Sequence, residues 1–120
     1  MAQRILVVDD SATERQAIVS PLAAEGYQVV AASDGDEALA QLEQAVFDLL
    51  VLDVVMPGKN GFQLCRQIRR DDRWSGLPIV MVTSKDQEAD RFWGMKQGAS
   101  EYITKPFGSS ELLAAIRKYT

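Results

Sequence analysis

Residues 4–14 read RILVVDDSATE. Four apolar residues, Ile5 to Val8, run without interruption into two adjacent carboxylates, Asp9 and Asp10. A short continuous run of Val, Ile and Leu marks a strand covered on both faces, and strands of that kind belong to parallel sheets. The two carboxylates at its end repel each other by ~1 kcal/mol at 4 Å in water and by ~4 kcal/mol at a protein-like dielectric. Either they face solvent as the start of a helix, or something positive belongs beside them.

Similar apolar runs recur along the chain at Val29–Ala32, Leu49–Leu52, Ile79–Val82 and Tyr102–Ile103. Between them lie stretches with helical spacing. Ala17, Ile18, Leu22 and Glu25 follow the first run, and Ala38, Leu39, Leu42 and Ala45 the second. Phe62, Cys65 and Ile68 mark a third helix, Ala89, Phe92 and Trp93 a fourth, and Leu112, Leu113 and Ile116 a fifth. Asp34 with an acid three residues later, Glu37, is a helix-start signature, and Gly26 and Gly98 stand where helices 1 and 4 should stop. Pro21 falls inside the first helix and is expected to kink it. Five strands alternating with five helices predict an α/β fold: one parallel sheet with helices on both faces. Ligands of such sheets bind beyond the carboxyl ends of the strands, where the strand order reverses.

The whole chain sets bounds. With 120 residues and 47% hydrophobic content it is long enough for one domain with its own core. A formal charge of −4 argues against general nucleic-acid or anionic-membrane binding. No signal-peptide pattern or membrane-length apolar stretch occurs. The single cysteine leaves no internal disulfide, which fits a reducing, cytoplasmic setting. Histidine is absent, which excludes His-based triads, the common zinc sites and a phosphohistidine on this chain.

At the carboxyl ends of the predicted strands stand Asp9 and Asp10, then Asp53, then Thr83 and Ser84, then Lys105. If strands 1, 3, 4 and 5 are neighbours, these groups share one crevice. Three carboxylates and one ammonium leave about two negative charges over, which a divalent cation would neutralise; oxygen donors suit Mg²⁺ rather than zinc. Each residue also has a plainer role: Asp9–Asp10 as a solvated helix start, Ser11 as a cap, Asp53 as the opening of the Pro57–Gly58 turn, Thr83 as a strand end, and Lys105–Pro106 as a loop dipeptide.

The segments VVDDS, LLVLDVVMPGKNGF, VTS and EYITKPF together resemble the signature segments of response-regulator receiver domains, the phosphoacceptor half of two-component signalling, and the resemblance covers essentially the whole chain. The stretch TSKDQEADRFWGMKQGASEY further resembles stand-alone regulators of pilus-based twitching motility and phototaxis, whose signalling is chemotaxis-like. The resemblance implies a flavodoxin-like (βα)5 fold with strand order 2-1-3-4-5. It implies that Asp53 is the phosphoacceptor for a histidine kinase's phosphohistidine. Asp10, Asp53 and the backbone carbonyl of Val55 would ligate Mg²⁺, with Asp9 holding a metal-bound water. Thr83 and Lys105 would contact phosphoryl oxygens, Thr83 and Tyr102 would form the switch, and the Lys105–Pro106 bond would be cis. Output would pass through a face built from helix 4, strand 5 and helix 5. Val55 and Lys85 depart from the chemotaxis pattern on the route of a hydrolytic water, so they are expected to tune phosphoryl lifetime.

These features together predict a single receiver domain over residues 1–120 with no output domain. It would be cytoplasmic and act as a monomer or a dimer, catalysing only its own phosphorylation and dephosphorylation rather than the turnover of an external substrate. Its partners would be a sensor histidine kinase or phosphotransfer domain and a downstream motility protein, with no nucleic acid and no membrane insertion. The alternatives are a phosphorylation-independent scaffold, or a phosphate sink for a shared kinase. A flavodoxin lacks support because residues 9–16 offer no Gly/Thr-rich phosphate cradle, and an aspartyl phosphatase would need acids two apart rather than adjacent. Elsewhere, Phe92 is expected in the core, with Trp93 and Met95 close to the output face. Trp74 is expected to cover the amino-terminal rim of the sheet and Cys65 to fill core. Arg66, Arg69, Arg70 and Arg73 are expected to form a solvated face.

Overall fold

Ile5, Leu6, Val7 and Val8 are each fully buried, as a strand covered on both faces requires. In the computed structural model, which describes residues 2–120, they form β1 (Arg4–Val8). The remaining strands are β2 (Gln28–Ala32), β3 (Leu49–Leu52), β4 (Ile79–Thr83) and β5 (Glu101–Thr104). The helices that alternate with them are α1 (Ala12–Ala24), α2 (Gly35–Gln44), α3 (Gly61–Arg70), α4 (Glu88–Lys96) and α5 (Ser109–Arg117), with a short 3-10 turn at Asp72–Trp74. All strand pairs are parallel and the sheet order is β2-β1-β3-β4-β5.

Although the apolar runs are continuous, their residues still divide by alternation. Leu6, Val8, Leu50, Leu52, Ile79 and Met81 face one core with Ala38 and Leu42 of α2 and Leu64, Cys65 and Ile68 of α3. Ile5, Val7, Leu49, Val51, Val80 and Val82 face the other with Ile18 and Leu22 of α1 and Leu112 and Ile116 of α5. Each fully buried Leu, Ile, Val or Met among them contributes ~1.5–3 kcal/mol.

The punctuation behaves as its chemistry dictates. Asp34 caps α2, its carboxylate accepting the Glu37 N–H at 2.8 Å. Gly26 and Gly98 end α1 and α4 at φ +97° and +112°, a region that disfavours side chains. Helix α1 continues through Pro21 to Ala24. The carbonyl of Ala17, which loses its donor to the proline, belongs to an exposed residue. Trp74 is half-buried against the core beneath α2 and α3, near the amino-terminal rim. Cys65 is buried, and burial pushes its thiol up to about 11.

Two expectations are corrected. Phe92 is 66% exposed and Ala89 is exposed, so the apolar face foreseen for α4 points outward; the helix lies on the sheet through Gly94 instead. The side chain of Tyr102 fills the space a packing face on α4 would need: a Cβ on Gly94 would stand 2.9 Å from the Tyr102 ring and 3.0 Å from the Met81 sulfur. Arg69 is not part of a solvated face either. Its guanidinium donates to the carbonyls of Gly98 at 2.9 Å, of Trp74 and Ser75 at 3.3 Å each, and of Leu77, tying α3 to two loops.

Candidate functional site

The sheet register assembles the site. Val8 lies level with Leu52, and the Asp53 N–H donates to the Val8 carbonyl at 3.0 Å. The Asp9 N–H donates to Ala32 at 3.1 Å on the other side. The first residues past β1 and past β3 are therefore both aspartates held by the last rungs of the ladder. Asp9 is fully buried and Asp53 is 5% exposed. Asp10, one residue further, is exposed, and carboxylate oxygens of Asp9, Asp10 and Asp53 lie within 4.8 Å of one another.

Lys105, just past β5, is the cation that reaches them. Its ammonium lies 2.8 Å from Asp9 and 3.3 Å from Asp53. Burial works against its charge, but hydrogen bonds to Asp9 and Glu14 and the field of Asp53 outweigh it and hold Lys105 above the ordinary lysine range. The Lys105–Pro106 peptide is cis.

The two oxygens of Asp9 are both engaged, one by Lys105 and one by the Ser11 N–H at 3.0 Å. Asp53 accepts from the Val55 N–H at 3.2 Å through one oxygen and from Lys105 through the other. Asp10 has no hydrogen-bond or ion-pair partner among the described residues, so no cation offsets its charge. A cluster of carboxylate oxygens with uncompensated negative charge suits a hard divalent cation that completes its shell with water and carbonyl oxygen.

Thr83 is fully buried at the end of β4 and its hydroxyl accepts the Lys85 N–H at 3.3 Å. The Lys105 N–H donates to the Thr83 carbonyl at 2.8 Å, so the two residues are bound edge to edge. Tyr102 is buried, with its hydroxyl donating to the Lys85 carbonyl at 2.7 Å. Burial, reinforced by Asp90 against the opposing Arg91, pushes its phenol up to about 12. Val55 is about half exposed and Lys85 is exposed.

Glu14, on the first turn of α1, was missed by the sequence reasoning. Its carboxylate lies 2.8 Å from the Lys105 ammonium, whose hydrogen bond and charge hold Glu14 below the usual carboxylate range. Ser11 does cap the helix, accepting the Glu14 N–H at 3.2 Å, and this fixes where Glu14 starts from. A second missed residue is Gly61. A Cβ there would fall 2.2 Å from the Asp53 carbonyl oxygen and 2.7 Å from the Val54 Cα. Only glycine lets α3 approach the backbone that carries Asp53 so closely. The sequence offered a turn only at Pro57–Gly58, and nothing local announced the close approach at Gly61.

Residues 5–117 match the response regulator receiver domain family. The chain is 45% identical over 113 residues to protein PilH of Pseudomonas aeruginosa, covering 94% of this chain and 93% of that one. It is 42% identical over 117 residues to the phosphate regulon transcriptional regulatory protein PhoB of Escherichia coli, of which it spans about half, 51%. Among solved structures it is similar to the chemotaxis protein CheY4 of Vibrio cholerae, with a TM-score of 0.93, 33% identity and full coverage of both chains.

Proposed function

The chain belongs to the response regulator receiver domain family, and on that premise we propose that it accepts a phosphoryl group on Asp53 from a histidine kinase and answers through a protein-binding surface. The observation that carries this role is the near-complete burial of Asp53 beside Asp9 with the Lys105 ammonium reaching both. A buried carboxylate pair bridged by one lysine is costly to keep for stability alone.

In the proposed transfer, a carboxylate oxygen of Asp53 forms the new P–O bond as the P–N bond to the donor imidazole breaks, with the electron pair leaving on the imidazole. Charge spreads over the phosphoryl oxygens, and catalysis consists of positioning and neutralisation. Lys105 supplies a fixed positive charge and Thr83 a hydroxyl donor. Mg²⁺ bound by Asp10, Asp53 and the Val55 carbonyl, with Asp9 holding its water, would neutralise the transferring oxygens. The unpartnered carboxylate of Asp10 supports its place among the direct ligands, with the cluster of Asp9, Asp10 and Asp53 oxygens within 4.8 Å of one another. Hydrolysis by water returns phosphate and the free carboxylate.

The readout we propose couples Thr83 to Tyr102. Attraction of the Thr83 hydroxyl toward the phosphoryl group leaves space behind it, and the inward Tyr102 ring, held through the Lys85 carbonyl, reports that shift to α4, β5 and α5. The exposed Trp93 and Met95 on α4 suit a partner contact. Residues 1–120 act here as a single receiver unit in chemotaxis-like, pilus-linked motility signalling, a role favoured by the mutual coverage with PilH and by the segment from Thr83 to Tyr102. Among the described residues no helix is long and apolar enough to cross a membrane, and the proposed place of action is the cytoplasm.

The test is uptake of beryllofluoride with Mg²⁺, followed by fluorine NMR, together with phosphotransfer from the host's histidine kinases. Wild-type protein is expected to bind and to carry acyl phosphate on Asp53, and Asp53→Ala to do neither. Acyl phosphate mapped to another residue, or labelling that survives Asp53→Ala, refutes the assignment.

A further inference from the structure

Residues 54–70 contain four cations (Lys59, Arg66, Arg69 and Arg70) and no acid, although the chain as a whole is at −4. This segment is thus net positive within a chain that is net acidic. Arg69 turns inward and spends its guanidinium on backbone carbonyls. The other three do not. Together with Gly58, Gln63 and Gln67 they line an open groove of about 560 Å³ along the outer face of α3. Among the described residues none of Lys59, Arg66 and Arg70 has a carboxylate within ion-pair distance, whereas the neighbouring Arg73 is paired with both Glu43 and Asp71. Two of the three have neutral partners. The Lys59 ammonium donates to the Gln67 side-chain carbonyl, and Arg66 Nε donates to that of Gln97 at 2.7 Å. Amide oxygens hold these cationic heads in place without cancelling their charge.

We propose that this groove docks a carboxylate-rich segment of a partner protein. The lining sets the chemistry of the occupant. It carries no aromatic side chain on which a nucleic-acid base could stack, and its apolar surface is the aliphatic stems of Lys, Gln and Arg, whose polar heads face the groove's occupant. It offers separated positive charges and amide donors along one helix face. From Gln63 to Arg70 the helix axis advances ~10 Å, room for about three residues of extended chain. An acidic partner is repelled by the rest of the molecule and admitted here, so the charge distribution fixes its approach as well as its affinity. The groove lies on α3 and touches only the C-terminal end of α4, through the Arg66–Gln97 hydrogen bond.

The experiment titrates the full-length isotope-labelled chain with a short peptide rich in Glu and Asp and follows backbone amide shifts. Shifts are expected to cluster at residues 58–70 and to shrink as salt is raised through ~0.1 M, where the Debye length falls to about 10 Å. The double reversal Lys59→Glu/Arg70→Glu is expected to weaken binding by about tenfold or more, as loss and inversion of two surface ion pairs implies. Arg117→Glu/Lys118→Glu, at the C-terminal end of α5 across the sheet, should leave binding within about twofold. Thermal melting checks that the variants fold; should the double reversal fail, Lys59→Gln and Arg70→Gln singly are expected to weaken binding about two- to fivefold. Shifts spread over all basic residues, or binding indifferent to the reversal, overturn the proposal. Tighter binding of tripolyphosphate or a single-stranded RNA oligomer than of the peptide at the same residues also overturns it, because the groove is then a phosphate site.

Discussion

Lys105 is shared among three carboxylates, at 2.8 Å from Asp9, 2.8 Å from Glu14 and 3.3 Å from Asp53. Its hold on Asp9 is buried and strong, whereas Glu14 is half exposed and competes from the solvent side. Removing that competitor should leave Lys105 freer to serve an anion on Asp53, so Glu14→Gln is expected to tighten beryllofluoride binding severalfold, read by titration of the fluorine signal. The stability cost is a surface-scale one, about 0.2–1 kcal/mol after screening. Its pH dependence has a definite sign. Glu14 is held below its ordinary value by Lys105, so its contribution is present above the unfolded pKa of ~4.3 and is lost as the pH falls through the lower folded value. Urea midpoints of wild type and Glu14→Gln should therefore differ at pH 7 and converge as the pH falls below the lowered folded value of Glu14. Lys105, displaced upward, stays charged across that window and adds no slope of its own. Val55 sits half exposed beside Asp53 and offers a water no hydrogen bond. Val55→Asn is expected to speed loss of the phosphoryl group severalfold, and a decay rate that is unchanged or slower removes Val55 from the control of lifetime.

At the scale of elements, glycine contacts decide how helices meet the sheet. Gly94 is where α4 rests on the ring of Tyr102, and Gly94→Ala sets two effects against each other. Alanine gains ~1 kcal/mol in helix propensity, while a Cβ 2.9 Å from the ring costs ~1–3 kcal/mol by overpacking. The ring can yield by turning outward, which breaks its bond to the Lys85 carbonyl. Stability should thus change little or fall by about 1 kcal/mol, while the Tyr102 phenol moves from about 12 back toward the ordinary tyrosine value, read by NMR titration. Gly61 has no such escape, because its neighbours are the backbone of Asp53 and Val54. The strands and most helices were legible in the sequence because burial on two faces leaves an unbroken apolar run, and caps such as Asp34 and the end glycines speak locally. The packing of α4 was not, since Phe92 and Trp93 have the spacing of a core face and only the ring of Tyr102, arriving from β5, makes Gly94 the contact point. The inward turn of Arg69 was hidden for the same reason: its carbonyl partners at Leu77 and Gly98 come from two other segments.

For the molecule as a whole, the fold brings together charges that its stability would prefer apart. The sequence showed which residues gather, because each follows a strand and parallel strands end at one rim, but not how the single lysine is divided. That division leaves Asp10 without a partner within a cluster whose oxygens lie inside 4.8 Å. Functional sites commonly retain such local conflict at the expense of stability. Neutralising the surplus charge with Asp10→Asn should therefore stabilise the metal-free protein by ~1 kcal/mol, raising its melting temperature by roughly 3–6 °C for a chain of this size. Adding Mg²⁺ should reverse the order. A ligand that binds only the folded chain stabilises it by RT ln(1 + [L]/Kd), about 2.7 kcal/mol at a hundredfold excess over Kd. Wild type should gain that increment, and Asp10→Asn, short of one anionic ligand, should gain little of it. Melting curves with millimolar Mg²⁺ and with EDTA measure both terms at once. If the two proteins melt alike in EDTA, Asp10 bears no electrostatic cost in the folded state; if both respond equally to Mg²⁺, Asp10 is not among the groups that hold it.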